Sequence, residues 1–224
     1  YEPFRRLVNE TIPELKTGIS ALRVRKVVVT DEMINGNKDL ISVVSNARNH
    51  PDEPQIVERN NGLGVSNVIF EDGQVWQKTL VSVHEDTGGN TVEVPVSIES
   101  DGTRRLIEYM PLFFALTHGH GVFVVDEIER SVHPIMVKSI IQKISDSKQA
   151  KGQLIFTTHE SCLLDQSIFR PDEIWFAQKD AEQSTKLYPL SDFNIHNTAN
   201  IENGYLAGRY GGIPFLSNLK DLHW

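Results

Sequence analysis

The sequence predicts an α/β fold, in which a mainly parallel, helix-covered sheet follows an antiparallel β-rich and helical segment. In the second half, apolar runs of strand length alternate with runs of helical periodicity, which is typical of parallel βαβ units. In the first half, β-branched runs flank an Asp-Gly pair, which predicts an antiparallel hairpin. We therefore expect two segments, a β-rich and helical one over residues 1–97 and an α/β one over 98–224.

Composition limits the class of protein. The 224 residues are 39% hydrophobic, a globular share that excludes a disordered or fibrous chain. A net charge of −8 argues against a generally basic nucleic-acid-binding surface but not against a local basic patch. The single cysteine, Cys162, excludes a disulfide framework and fits a reducing compartment. Because no apolar run has the length of a membrane span or of a signal-peptide core, we expect a soluble, cytoplasmic protein with no membrane partner.

Turn residues and apolar spacing predict the elements of the first half. Pro95 cannot donate to a strand ladder, so the strand that contains it is expected at a sheet edge. The predicted elements are, in order, a short helix within 1–20, a strand over 23–29, loops over 30–62, a hairpin over 65–83 and an edge strand over 91–96.

The second half is predicted from the same two signals. Its short apolar runs are interpreted as buried strands. The predicted elements are a helix over 106–114, a strand over 122–125, a helix over 136–144, a strand over 154–156, a short helix over 160–164, and strands over 173–176 and 186–188.

Two acidic residues, Asp126 and Glu127, end the strand over 122–125. The carboxyl edge of a parallel sheet is where ligands of α/β folds bind. In a nucleotide hydrolase the first acid holds Mg²⁺ and the second polarises the attacking water. The alternative is an ordinary acidic loop after a strand.

Two further motifs accompany the acids. His159 follows the next strand, where it can lie near Glu127 and hydrogen-bond a γ-phosphate or the attacking water. Its alternative is an incidental histidine beside a helix-capping Thr158. The segment Ser100-Asp-Gly-Thr103 precedes a helix and presents amides suited to an anion, with a simple N-cap as the alternative.

The order and spacing of these motifs resemble the nucleotide-binding domain of ABC-type ATPases. On that resemblance residues 128–134 are the D-loop, and ATP and Mg²⁺ are the cofactors. The resemblance assigns Ser100, Gly102 and Thr103 to the signature loop, Asp126 to Walker B and to Mg²⁺, Glu127 to the catalytic glutamate, and His159 to the switch histidine. It further implies a homodimer in which ATP lies between two subunits, with the signature loop acting in trans.

Several segments narrow the resemblance to stand-alone prokaryotic AAA/ABC-like ATPases of phage-defence and abortive-infection systems, relatives of recombination and chromosome-maintenance ATPases. The resemblance spans roughly residues 98–216, and the segments that carry it are 126–134, 157–161, 171–176 and 204–214.

One motif of that superfamily is missing. No G-x-x-x-x-G-K-[ST] sequence occurs in the chain, although its amides and lysine are needed to hold the phosphates. We expect either the C-terminal part of a longer ATPase or a degenerate member, and the start at Tyr1 favours the first. A complete ATP site then needs a lobe that carries this motif, called Walker A, upstream or in a partner.

The leading functional hypothesis is an ATPase whose ATP-dependent dimerisation controls an effector in anti-phage defence. One alternative is a weakly hydrolysing, nucleotide-bound scaffold that holds an effector nuclease or toxin inactive, which steady-state turnover set against ATP affinity would identify. Another is a DNA-repair ATPase of the recombination type, which requires a basic channel and salt-dependent DNA binding.

Overall fold

The computed structural model describes residues 2–35, 38–58, 65–196 and 199–213. The chain divides into two compact units, Tyr1–Leu116 and Thr117–Trp224. The boundary at residues 97 and 98 was drawn from motifs and stays a prediction. Within the described ranges, no helix combines the length and apolar character needed to cross a membrane.

The first unit is built on an antiparallel sheet. Its strands are β1 (Ile19–Val28), β2 (Gln55–Glu58), β3 (Val65–Glu71), β4 (Gln74–Glu85) and β5 (Thr91–Pro95), and its helices are α1 (Glu2–Glu14), α2 (Asp31–Asn35), α3 (Lys38–Asn49) and α4 (Asp101–His118), which ends just beyond the unit. The strand order is β1-β4-β3-β2, and β5 also pairs with β4.

The predicted hairpin is confirmed. β3 and β4 pair from Ser66↔Thr79 to Glu71↔Gln74. Asp72 and Gly73 have φ values of 53° and 74°, and this two-residue turn with positive φ twists in the same sense as the strands that it joins.

The expectation of loops over residues 30–62 is wrong, because this stretch contains α2, α3 and β2. Leu40, Val44 and Ala47 recur at helical spacing in α3 and are buried against Val68 and Val75 of the sheet. Tertiary burial therefore stabilises a helix whose abundant polar residues resemble a loop. The turn signals at 36 and 60–62 lie outside the described residues.

A second apolar cluster of the first unit joins α1, β1 and α4. Its buried members are Val8, Ile12, Ile19, Ile107 and Met110. Met110 and Ile12 are each only 1% exposed. This cluster fixes the course of α4, whose N-terminus carries the signature-like segment.

The second unit contains a parallel strand pair and an antiparallel hairpin. Its elements are β6 (Val122–Val125), α5 (Pro134–Ser145), β7 (Gln153–Phe156), β8 (Trp175–Lys179), β9 (Thr185–Pro189) and α6 (Ile201–Leu206). β6 and β7 run parallel in register from Val122↔Gln153 to Val125↔Phe156, with α5 in their crossover connection. β8 and β9 pair with each other and pack against α6.

The prediction of a mainly parallel sheet is confirmed, among the described residues, only for β6 and β7. β8 and β9 are joined by a turn of about five residues, which is too short for the crossover that parallel neighbours require. The short helix expected over 160–164 is a 3-10 turn at Ser161–Leu163.

The interpretation of the two parallel strands as buried is also corrected. Val122, Val124 and Ile155 are 59%, 74% and 48% exposed, because they point to the face of the pair that the described residues leave uncovered. The alternate residues of both strands are half-buried.

Candidate functional site

The carboxyl ends of β6 and β7 form one polar edge in the second unit. Beyond the strands the backbones stay paired, because the amide of Thr157 donates to the Val125 carbonyl at 3.0 Å and that of Ile128 donates to the Thr157 carbonyl at 3.1 Å. Asp126 and Glu127 therefore leave β6 directly beside the residues that leave β7. This is the edge at which parallel α/β sheets bind ligands.

Thr157 connects the two acidic residues. Its hydroxyl donates to Asp126 Oδ1 at 2.5 Å and accepts the backbone amide of Glu127 at 2.9 Å. A hydroxyl with one donor bond and one acceptor bond is fixed in rotation, so it orients the Asp126 carboxylate. Sequence reasoning missed Thr157, because a hydroxyl residue directly after a strand is too common to be chosen from sequence alone.

Glu127 and His159 lie close together, as the sequence analysis anticipated. Glu127 Oε1 and His159 Nε2 are 4.0 Å apart, and their side chains are 50% and 86% exposed. Glu127 has a φ of 48°, a left-handed conformation that is costly for a residue other than glycine. The hydrogen bond from the Glu127 amide to the Thr157 hydroxyl helps to hold Glu127 in this conformation. Backbone strain of this kind is often found at functional sites.

Glu129 is a second residue that sequence reasoning missed. Its Oε1 atom accepts the backbone amide of His159 at 2.9 Å. Burial raises the pKa of Glu129, but hydrogen bonds from the amides of His159 and of Glu129 itself and from the Thr158 hydroxyl outweigh burial, so that the pKa lies below its ordinary value. Glu129 is therefore a carboxylate at neutral pH.

The donor set limits the kind of metal site. Over the described ranges, no cluster of three or more His, Cys, Asp or Glu side chains could enclose a metal ion. Asp126 offers an exposed, oriented carboxylate. One carboxylate fits Mg²⁺, which keeps several water ligands and is commonly completed by substrate phosphates.

The signature-like residues lie in the first unit, at the start of α4. The Ser100 hydroxyl accepts the Thr103 amide at 3.1 Å and lies 2.8 Å from the Thr103 hydroxyl. Asp101 forms an ion pair with Arg104. The N-cap interpretation therefore holds for Ser100, and Gly102 lies in the first helical turn, where amides have no acceptor within the helix. Asp126, Glu127 and His159 are together in the second unit.

Two other residues of types that can take part in chemistry, His133 and Cys162, lie in the same unit. His133 Nδ1 accepts the amide of Ile135 at 3.3 Å and caps α5, which begins at Pro134. Burial, followed by the nearby Glu160 carboxylate, raises the pKa of the Cys162 thiol. The thiol is thus mainly protonated and a poor nucleophile at neutral pH.

Comparisons with known proteins give a family. Residues 21–165, more than half of the chain, match the family described as "AAA domain, putative AbiEii toxin, Type IV TA system". Comparison with curated proteins finds no match. One similar solved structure comes from work on the structural biochemistry of ATP-driven dimerization and DNA stimulated activation of SMC ATPases. It has 12% sequence identity and a TM-score of 0.40, and the alignment covers 77% of this chain and 96% of that chain.

Proposed function

The chain belongs to this AAA domain family, and from that premise we propose that it is part of an ATPase that binds ATP with Mg²⁺ and hydrolyses it. The observation that carries the proposal is the polar edge of the second unit, where Thr157 joins Asp126 to the backbone of Glu127 and where His159 lies 4.0 Å from Glu127. A carboxylate for a cation, a second carboxylate for a water and an imidazole are the groups that nucleotide hydrolysis uses.

Each residue has a distinct role in this proposal. Asp126 holds Mg²⁺, which supplies positive charge against the phosphates when bound. Glu127 accepts a proton from the attacking water and orients it. His159 donates a hydrogen bond toward the γ-phosphate, a role open to an imidazole that is almost fully exposed.

The phosphates need further donors that this sequence lacks. The chain has no G-x-x-x-x-G-K-[ST] motif, so the amides and lysine of that motif must come from a lobe upstream or from a partner. The proposal accordingly concerns the natural protein together with that lobe.

The signature-like loop at the start of α4 is the reason that we propose a dimer. We assign Ser100, Gly102 and Thr103 of one copy to ATP held by Asp126 and Glu127 of a second copy. The first-turn amides of α4 are suited to an anion. Nucleotide that is bound between two copies stabilises the dimer, and hydrolysis releases it.

The proposed role of the dimer is to control an effector protein, a nuclease or a toxin, in anti-phage defence. The family description names a toxin and a type IV TA system, which supports a context of this kind. Control follows physically if the effector binds the ATP-bound and the nucleotide-free arrangements with different affinities.

The test is Glu127→Gln in the natural full-length protein. We expect turnover to fall at least about a hundredfold because the general base is lost, while ATP binding persists and light scattering reports a trapped dimer. Glu182→Gln, at an exposed site in the turn between β8 and β9, is the matched control and should hydrolyse ATP normally. Undiminished hydrolysis by Glu127→Gln would contradict the assignment, as would a strict monomer with ATP.

A further inference from the structure

Among the described residues, the backbone hydrogen bonds between the chain segments that leave β6 and β7 reach as far as Thr157, whose carbonyl accepts the Ile128 amide at 3.1 Å. Two residues later, the His159 amide is bonded to a side chain, the Glu129 carboxylate, at 2.9 Å. Glu129 thus extends the connection between the two chain segments beyond the point at which the strands diverge.

The hydrogen bond between the Glu129 carboxylate and the His159 amide affects where the His159 imidazole lies. The His159 side chain is 86% exposed, so packing contributes little to its placement. Its distance of 4.0 Å from Glu127 therefore depends on where the backbone of residue 159 is held. A hydrogen bond to an ionised acceptor is among the stronger ways to hold a backbone amide.

We propose that Glu129 is a positioning residue for the hydrolysis proposed above, in which its carboxylate fixes the backbone of His159 and so keeps the imidazole beside the Glu127 carboxylate. Glu129 itself touches neither nucleotide nor water in this role. The inference rests on the proposed function for its kinetic consequence, whereas the contact between Glu129 and His159 is testable without nucleotide.

The kinetic test compares Glu129→Leu with Glu129→Gln in the natural full-length protein. Leucine removes the acceptor at similar size, and we expect kcat to fall roughly ten- to a hundredfold with the KM for ATP changed less than about threefold. Glutamine keeps an acceptor oxygen and should restore kcat to within about fivefold of the wild type. A fall in kcat that glutamine does not rescue, or a loss expressed mainly in KM, would overturn the positioning role.

The matched control is Glu173→Leu. Glu173 is a carboxylate of the same unit that also accepts a backbone amide, that of Arg170 at 2.8 Å. This variant should leave kcat unchanged. If Glu173→Leu lowers kcat as much as Glu129→Leu does, then losing any carboxylate–amide hydrogen bond of this unit lowers kcat, and the proposal fails.

A second readout needs no ATP. In protein labelled with ¹⁵N-histidine, the backbone amide resonance of His159 is assigned by its loss in His159→Gln. In Glu129→Leu we expect this resonance to shift upfield and its proton to exchange faster with solvent. In Glu129→Gln both changes should be much smaller. An unmoved resonance overturns the inference. If Glu129→Leu does not fold, Glu129→Ser takes its place with the same expectations.

The two readouts separate the two proposals. If the wild-type protein does not hydrolyse ATP, or if Glu127→Gln hydrolyses it normally, the proposed function fails, whatever the amide resonance shows. If hydrolysis depends on Glu127 but the His159 amide resonance does not change in Glu129→Leu, only the positioning role fails.

Discussion

At the scale of single residues, the site depends on groups that carry no chemical signature of their own. Asp126, Glu127 and His159 are recognisable by type and spacing. Thr157 and Glu129 hold parts of these residues by hydrogen bonds. Thr157 does so with one hydroxyl that bonds both to the Asp126 carboxylate and to the Glu127 amide. Threonine after a strand is too common to be chosen from sequence alone.

Thr157→Val tests that orientation, because valine has nearly the same shape but no hydroxyl. Losing a hydrogen bond to a carboxylate and the acceptor for a backbone amide should lower kcat/KM about tenfold or more and raise the Mg²⁺ concentration for half-maximal activity. Steady-state assays over a Mg²⁺ series measure both effects. Thr157→Ser retains the hydroxyl and serves as control, and equal activity of all three proteins would remove Thr157 from the site.

At the scale of elements, the glycine-rich segment after α6 has a packing role that the sequence did not reveal. The Tyr188 hydroxyl donates to the Tyr210 carbonyl at 2.7 Å, and the Gly212 amide donates to Gln178 Oε1 at 3.3 Å. Phe176 stacks on Tyr205 and on Tyr210 with interplanar angles of 12° and 14°. The segment thus packs on one face of the β8–β9 hairpin.

Gly211→Ala should loosen this packing. Gly211 has a φ of 69°, and a Cβ atom there would lie 2.5 Å from both Gln178 Oε1 and the Tyr188 hydroxyl. We expect a loss of about 2–4 kcal/mol in the free energy of unfolding. In Gly208→Ala, where φ is 79° but the space is open, only the conformational cost of about 1 kcal/mol applies. Urea unfolding compares them, and equal losses would contradict the close approach.

Asp165, in the loop after the 3-10 turn, forms an ion pair with Lys138 of α5. This ion pair should make the free energy of unfolding depend on pH. The Lys138 ammonium, 2.7 Å away, and the Ser167 hydroxyl lower the pKa of Asp165 from 3.8 to about 2. Because the folded pKa lies below the unfolded one, the stabilisation is complete above about pH 4 and is lost as the pH falls towards 2.

Asp165→Asn should therefore cost about 1 kcal/mol at pH 7, after allowance for solvent screening, and almost nothing near pH 2. Urea midpoints of the wild type and the variant over this pH range measure the difference. A penalty that does not change with pH would show that the ion pair is not its source.

At the scale of the whole molecule, the proposed dimer divides each ATP site between two copies. Ser100→Arg and Glu127→Gln should each be inactive alone. In a mixed dimer one site carries both changes and the other carries neither, so an equal mixture should recover up to about a quarter of the wild-type turnover. ATPase assays on mixed proteins measure this recovery, and its absence in dimers shown to exchange subunits would argue that Ser100 acts in cis or not at all.

The hairpin over 65–83, α4 and the individual strands β6 and β7 were predictable because their signals are local. A turn with positive φ, a run of helical periodicity and a β-branched run each reflect contacts within a few residues. The failure at α3 has the opposite origin, because α3 is a helix that the sheet stabilises by burying Leu40, Val44 and Ala47. The antiparallel pairing of β8 and β9 was missed for another reason: the predicted strands ended too far apart to show that a short turn joins them.

The sequence by itself determined which chemistry was available, since residue type and spacing selected Asp126, Glu127 and His159 and excluded a P-loop within this chain. Only the tertiary structure decided how these groups are held. The parallel pairing of β6 and β7 sets residues about thirty positions apart side by side, so that Thr157 bonds to Asp126 and Glu129 to the His159 amide. Those bonds depend on strand register and on crossover handedness, which no short stretch of sequence encodes.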